Sequence, residues 1–174
     1  MTRHFSIARL SLALLAVLAL AGPAAAERQG KQVPFRGRLE GIVATVTPLT
    51  PPFVAVTLEG EGHATQLGHF DVSSSIVANE ADGTAVGTYE FTAANGDTLT
   101  ADFTSQVTPT DVPGVVSVAV TATITGGTGR FAGATGSFVG DRLADTVNGT
   151  ITESFNGTIS TSRRGKDSDD DHND

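Results

Sequence analysis

The sequence predicts an all-β fold, a single closed antiparallel β-barrel, on three observations. Valine, threonine, isoleucine and phenylalanine recur in short runs from Val33 to Ser162, and no stretch holds a helical period. Glycine and proline punctuate those runs, as turns require. Glycine also falls at alternate positions inside the early strands, at Gly37, Gly41, Gly60 and Gly62. There it marks sharp curvature or the close approach of another backbone, and curvature favours a barrel over a two-layer sandwich.

The chain opens on a block of a different kind. Arg3, His4 and Arg9 make it basic, Leu10–Leu20 is apolar apart from Ser11, and Ala24–Ala26 supplies small residues. This reads as a secretory signal peptide over residues 1–26, cleaved between Ala26 and Glu27. A membrane anchor is the alternative, but the apolar run falls short of the roughly 20 residues that span a bilayer. No cysteine is available for lipid attachment, and Arg3 and Arg9 are not adjacent, so no twin-arginine signal is present.

Residues 27–162 then suit one domain with one core. Residues 163–174, RRGKDSDDDHND, hold no apolar side chain and are expected to form a disordered acidic tail. The expected location is secreted or periplasmic. Without cysteine, such a protein depends on sheet hydrogen bonds and packing rather than disulfides. Loss of Arg3 and Arg9 takes the formal charge from −8 to −10. That acidity argues against nucleic acid or an anionic membrane as a partner.

Taken in order, Pro34–Thr47 turns Phe35, Leu39 and Val43 to one face, and Pro48–Pro52 ends the strand. Val54, Val56 and Leu58 mark the next strand, and Phe70, Val72 and Ile76 a third, after a bend near Gln66–Gly68. Thr84–Thr108 is a hairpin whose register can be chosen from the sequence. A two-residue Asn95-Gly96 turn puts Phe91 and Leu99 on opposite faces. A three-residue loop, Ala94–Gly96 with a left-handed Gly96, pairs Phe91 with Leu99 and Tyr89 with Ala101. The second register is expected, with Thr88, Glu90, Thr92 and Asp102 toward water. Val116, Val118, Val120, Ala122 and Ile124 form a strand with one buried face. It enters a glycine-rich connection, Gly126–Gly136, in which Gly126, Gly127, Gly129, Gly133 and Gly136 permit tight folding and Phe131 pins the loop to the core. Strands over residues 137–147 and 150–161 follow, joined at Asn148-Gly149.

The run GGTGRFAGATG, entered from a valine strand and left by a strand carrying Phe138, resembles the glycine-rich signature of plant dirigent proteins. Those share an eight-stranded antiparallel barrel with allene oxide cyclases. The chain is also similar to a group of bacterial exported proteins with GTGRFAGATGS and a terminal NGTI-type strand. The resemblance spans Phe35–Ser160, although the specific match is Gly126–Gly136 alone. It implies a calycin-like barrel of about eight strands, a lumen for an apolar molecule, and assembly into a homo-oligomer. Where dirigent proteins carry Ala-Arg-Gly this chain reads Ala134-Thr135-Gly136, so that arginine is missing and no catalytic residue carries over.

Glu153 is the sharpest candidate for chemistry. It shares parity with Ile151, Phe155 and Ile159, and an inward carboxylate can act as acid or base. The alternative leaves it at the rim of a subunit contact. Arg142 is a candidate counter-charge: a two-residue Asn148-Gly149 turn sets it opposite Phe155 and on the face of Glu153, whereas a three-residue loop sends it outward. Tyr89, the only tyrosine, lies on the inner face with Phe91, presenting its hydroxyl to a ligand or simply filling the core. Glu59, Glu61, His63, His69 and Asp71 cluster locally, yet their spacing fits no zinc motif, so no metal is expected. The tail Asp167–Asp174 lacks the glycine and glutamate of a calcium loop. No nucleophile elbow, phosphate loop or dinucleotide fingerprint occurs, and no cofactor is expected.

Three functions remain. The first is an exported, non-catalytic barrel that binds or guides a small apolar ligand in its lumen. The second is a cofactor-free isomerase or cyclase of the allene oxide cyclase kind, using Glu153 or Tyr89. The third is a structural or surface-assembly protein whose barrel is packed solid.

Overall fold

A computed structural model of the chain describes residues 30–161. The expected signal peptide and the expected acidic tail lie outside the described residues. Eight strands form one closed antiparallel barrel in sequence order. They are β1 (Val33–Pro48), β2 (Phe53–Ala64), β3 (Gly68–Asn79), β4 (Thr84–Ala93), β5 (Thr98–Pro109), β6 (Val115–Gly127), β7 (Thr135–Asp145) and β8 (Thr150–Ser160). Each pairs with its neighbours in sequence, and β1 also pairs with β8, from Val33 opposite Ile159 to Ile42 opposite Thr150. Closure leaves no free sheet edge.

Alternation sets the two faces. Phe35, Leu39, Phe70, Val72, Phe91, Phe103, Val120, Phe138 and Phe155 point inward and are buried, while their sequence neighbours are largely exposed. Glycines in β1 and β2 sit where the wall is tightest. A Cβ on Gly41 would run into the Glu59 carbonyl oxygen, and one on Gly60 into that of Glu40.

The β4–β5 hairpin has the expected register, with Phe91 opposite Leu99 and Tyr89 opposite Ala101. Its three-residue loop is closed by Ala93 N donating to Asp97 O at 2.9 Å, with Gly96 left-handed at φ 85°. The β7–β8 connection follows neither register considered for it. Asp145 pairs with Thr150 across a four-residue loop, which places Arg142 inward and opposite Glu153 rather than Phe155. The physical reason is Asp145. Its carboxylate accepts the backbone N–H groups of Val147 and Asn148, both at 2.9 Å, and the Asn148 side-chain amide at 2.7 Å. These bonds fold the longer turn and hold its carboxyl below the usual carboxylate range, the Asn148 backbone N–H foremost.

The glycine-rich stretch is shorter as a loop than its composition implies. Gly126 and Gly127 belong to β6 and Gly136 to β7, so Gly129 and Gly133 are the glycines left in the connection. The reason is proximity: a side chain at Gly136 would strike the Thr158 carbonyl, and one at Gly127 that of Thr98. Between them a 3₁₀ turn, Gly129–Phe131, drives the Phe131 ring into one end of the barrel, where it is 1% exposed. Leu67, Ala93, Leu99, Ala134 and Ile159 pack that end shut. The chain enters and leaves the barrel there, with Ser160 Oγ donating to Gly30 O at 2.6 Å. The opposite end is looser. Its inward side chains, among them Val43, Val56, Ala85, Val107, Val116 and Ala144, are only partly buried.

Candidate functional site

Inside the barrel, Tyr89, Arg142 and Glu153 meet. Antiparallel pairing of β7 with β8 sets Arg142 directly against Glu153, and Arg142 Nε donates to Glu153 Oε2 at 2.8 Å. Tyr89 comes from β4, four strands away from β8 around the ring of eight, so its side chain crosses the lumen. Its hydroxyl donates toward both carboxylate oxygens, at 3.0 and 2.9 Å, and accepts a short hydrogen bond from Arg142 Nη2. The Arg142 guanidinium also lies 5.8 Å from the centres of the Tyr89 and Phe103 rings.

Each of the three is almost wholly withdrawn from water: the Arg142 side chain is 5% exposed and that of Glu153 0%. Charges buried so deeply persist only when paired and hydrogen-bonded. Burial pushes the Tyr89 phenol well above its ordinary pKa, with Glu153 adding to the push and Arg142 opposing it. Burial works against the Arg142 charge as well, yet Tyr89 and Glu153 outweigh it and hold that pKa above the ordinary value. The phenol is therefore neutral and the guanidinium charged near neutral pH, with the carboxylate as its partner. Gly140, beside them on β7, is what admits the carboxylate, because a Cβ there would overlap Glu153 Oε1.

A shell of rings surrounds the polar trio. Tyr89 stacks on Phe91 at 5.3 Å and lies 4.5 Å from Phe103. Phe35, Phe70, Phe138 and Phe155 continue the cluster toward the shut end, with neighbouring centroids 5.2–6.5 Å apart. Thus Glu153, Arg142, Tyr89 and Phe91 share one interior.

Ser74 was absent from the sequence candidates. It is 3% exposed on the inner face of β3, directly opposite Tyr89, and its Oγ has no hydrogen-bond partner among the described residues. The signal was its parity with Val72 and Ile76, hidden by three consecutive serines, Ser73–Ser75.

The other candidate cluster lies on the outer wall. His63 pairs with His69 across β2 and β3, with rings 4.8 Å apart, and Glu61 Oε2 stands 3.5 Å from His69 Nε2. Glu59 and Asp71 point outward on the same two strands. Among the described residues no three such side chains converge as metal ligands.

No protein-family model and no curated protein matches the chain. Among solved structures, the pterocarpan synthase dirigent protein GePTS1 is similar at a TM-score of 0.47 and 13% identity, over 78% of this chain and 88% of that chain.

Proposed function

We propose that this protein is a non-catalytic barrel that holds or guides a small, mainly apolar molecule in its lumen. The observation that carries this reading is the closed polar trio inside an aromatic interior that is stoppered at one end and looser at the other. A barrel built only for rigidity gains little from a buried ion pair, since apolar side chains of similar volume do as well or better. Tyr89, Arg142 and Glu153 also satisfy one another. A carboxylate that already accepts from a guanidinium and a phenol is poorly placed to take a proton from a guest, which weighs against the isomerase or cyclase reading. On this reading the looser end is where an apolar guest would enter, since its rim exposes Leu49, Phe53, Val112 and Val147.

This reading places the chain in an exported bacterial branch of the dirigent and allene oxide cyclase-like barrels. The signal peptide over 1–26 delivers residues 27–162 to the periplasm or the medium as one domain with an acidic tail. Further copies of the chain are the protein partners it anticipates.

The test is mass spectrometry of the organic extract of purified protein, beside a variant with the entrance narrowed, Ala144→Phe. A small molecule carried by the wild type and lost from the variant is expected. Extracts that are identical, or free of any small molecule, would refute the reading in favour of a solid barrel.

A further inference from the structure

We infer that His63 and His69 form a chelate for a divalent transition ion on the outer wall of the barrel, copper(II) ahead of zinc. The site is separate from the lumen, so it stands whether or not the lumen holds a guest.

The two histidines are partners in the β2–β3 ladder, directly opposite each other and one step from the pair that closes the hairpin, Ala64 with Gly68. Opposed residues on one face of a sheet hold their side chains together. Both are exposed, and their ring centroids lie 4.8 Å apart. Two imidazoles bound to one ion through nitrogens at about 2.0–2.1 Å have centroids roughly 4.5–5.2 Å apart, for angles at the metal between square-planar and tetrahedral values. The observed separation falls inside that range, so the ladder already sets the spacing that a shared ion needs. The turn beyond the pair is fixed: Leu67 is buried, and Thr65 Oγ1 donates to Pro34 O at 2.9 Å. A chelate held this way loses little freedom on binding. The spacing along the sequence fits no zinc motif because such motifs describe ligands on one helix or loop, whereas register across two strands makes this pair.

The surroundings suit a cation. Glu61 Oε2 stands 3.5 Å from His69 Nε2, near enough to accept a hydrogen bond from it and so leave Nδ1 for the metal. Glu40 and Asp71 lie opposite Glu61 on the two neighbouring strands, and these three carboxylates outnumber Arg38, the cation opposite His63 on β1. An open groove of about 740 Å³ lies over the pair, with Arg38, Glu61, His63, His69 and Ser154 among its lining. Among the described residues no third ligand converges, so water in that groove completes the shell. Two imidazoles select ions that favour nitrogen, with copper(II) above zinc, and pass over magnesium and calcium, which favour oxygen.

The full chain, purified without an affinity tag, is titrated with copper(II) chloride and with zinc chloride by calorimetry, and zinc binding is mapped by backbone amide NMR. One ion per chain is expected, copper tighter than zinc, with magnesium silent and shifts centred on residues 61–71. His63→Gln and His69→Gln should each weaken binding about 100-fold, since either removes one arm of a chelate. Glu61→Gln should weaken it about tenfold. These side chains are exposed, so the variants should melt with wild type when no metal is present. His172→Gln, a change near the C-terminus, should leave binding unaltered. Losses below about fivefold in both His63→Gln and His69→Gln, binding that disappears in His172→Gln, or no binding by wild type would each overturn the inference.

Discussion

Glu153→Gln is the most informative single change. The substitution keeps the size and shape of the side chain and removes its charge, leaving the Arg142 guanidinium ionised in a site where its side chain is 5% exposed. Arg142 Nε can still donate to an amide oxygen, so the loss is chiefly electrostatic. Breaking one side of a buried ion pair in this way destabilises by about 3–5 kcal/mol. At roughly 3 °C per kcal/mol for a domain of this size, the melting temperature should fall by about 10–15 °C. The assay is thermal unfolding by circular dichroism, with urea titration to confirm that the slope is unchanged. A matched control replaces all three polar groups together, as Tyr89→Phe, Arg142→Met and Glu153→Leu. With no orphaned charge, that variant should recover most of the loss despite changing more atoms. If Glu153→Gln melts within about 2 °C of wild type, the carboxylate is not held in a dry site and the account of the lumen fails.

Other expectations follow from the same geometry. Phe131→Ala removes the ring that plugs one end and should destabilise by about 3–5 kcal/mol, read by urea unfolding. Gly140→Ala puts a methyl group where Glu153 Oε1 lies and should cost about 1–3 kcal/mol by overpacking, with the Tyr89 near-ultraviolet signal altered. The Tyr89 phenol titrates higher in the folded state than in the unfolded one. Its contribution is therefore complete below about pH 10 and lost as pH rises through the folded value, because only the unfolded chain releases that proton first. Alkaline unfolding should begin from about pH 10 upward, with a shallower decline in Tyr89→Phe; identical profiles would contradict the burial of the hydroxyl.

Where local chemistry decided the structure, the sequence was enough to read it. The Ala94–Gly96 loop follows from a one-residue slip that would turn Phe91 and Leu99 to opposite faces, so burial itself selects the register. The β7–β8 loop resisted the same treatment because Asp145, outside the Asn148-Gly149 pair, folds the turn through its own carboxylate. A side chain recruiting backbone N–H groups two and three residues on adds length that the dipeptide does not advertise. Parity made Glu153 and Tyr89 candidates for the inner face. It does not show that Tyr89 reaches across from β4, since strands on opposite sides of a barrel share no local pattern. Ser74 was harder still, being one of three adjacent serines whose sequence neighbours face water.

Because β1 starts and β8 finishes at the stoppered end, the described chain begins and ends on the side away from the looser rim. On the proposed function, cargo or an affinity tag joined at either end of the barrel domain leaves the looser rim uncovered. If the proposed guest enters at that rim, immobilising the protein by its ends should preserve its uptake, whereas attachment through the Val112 or Val147 loops should block it.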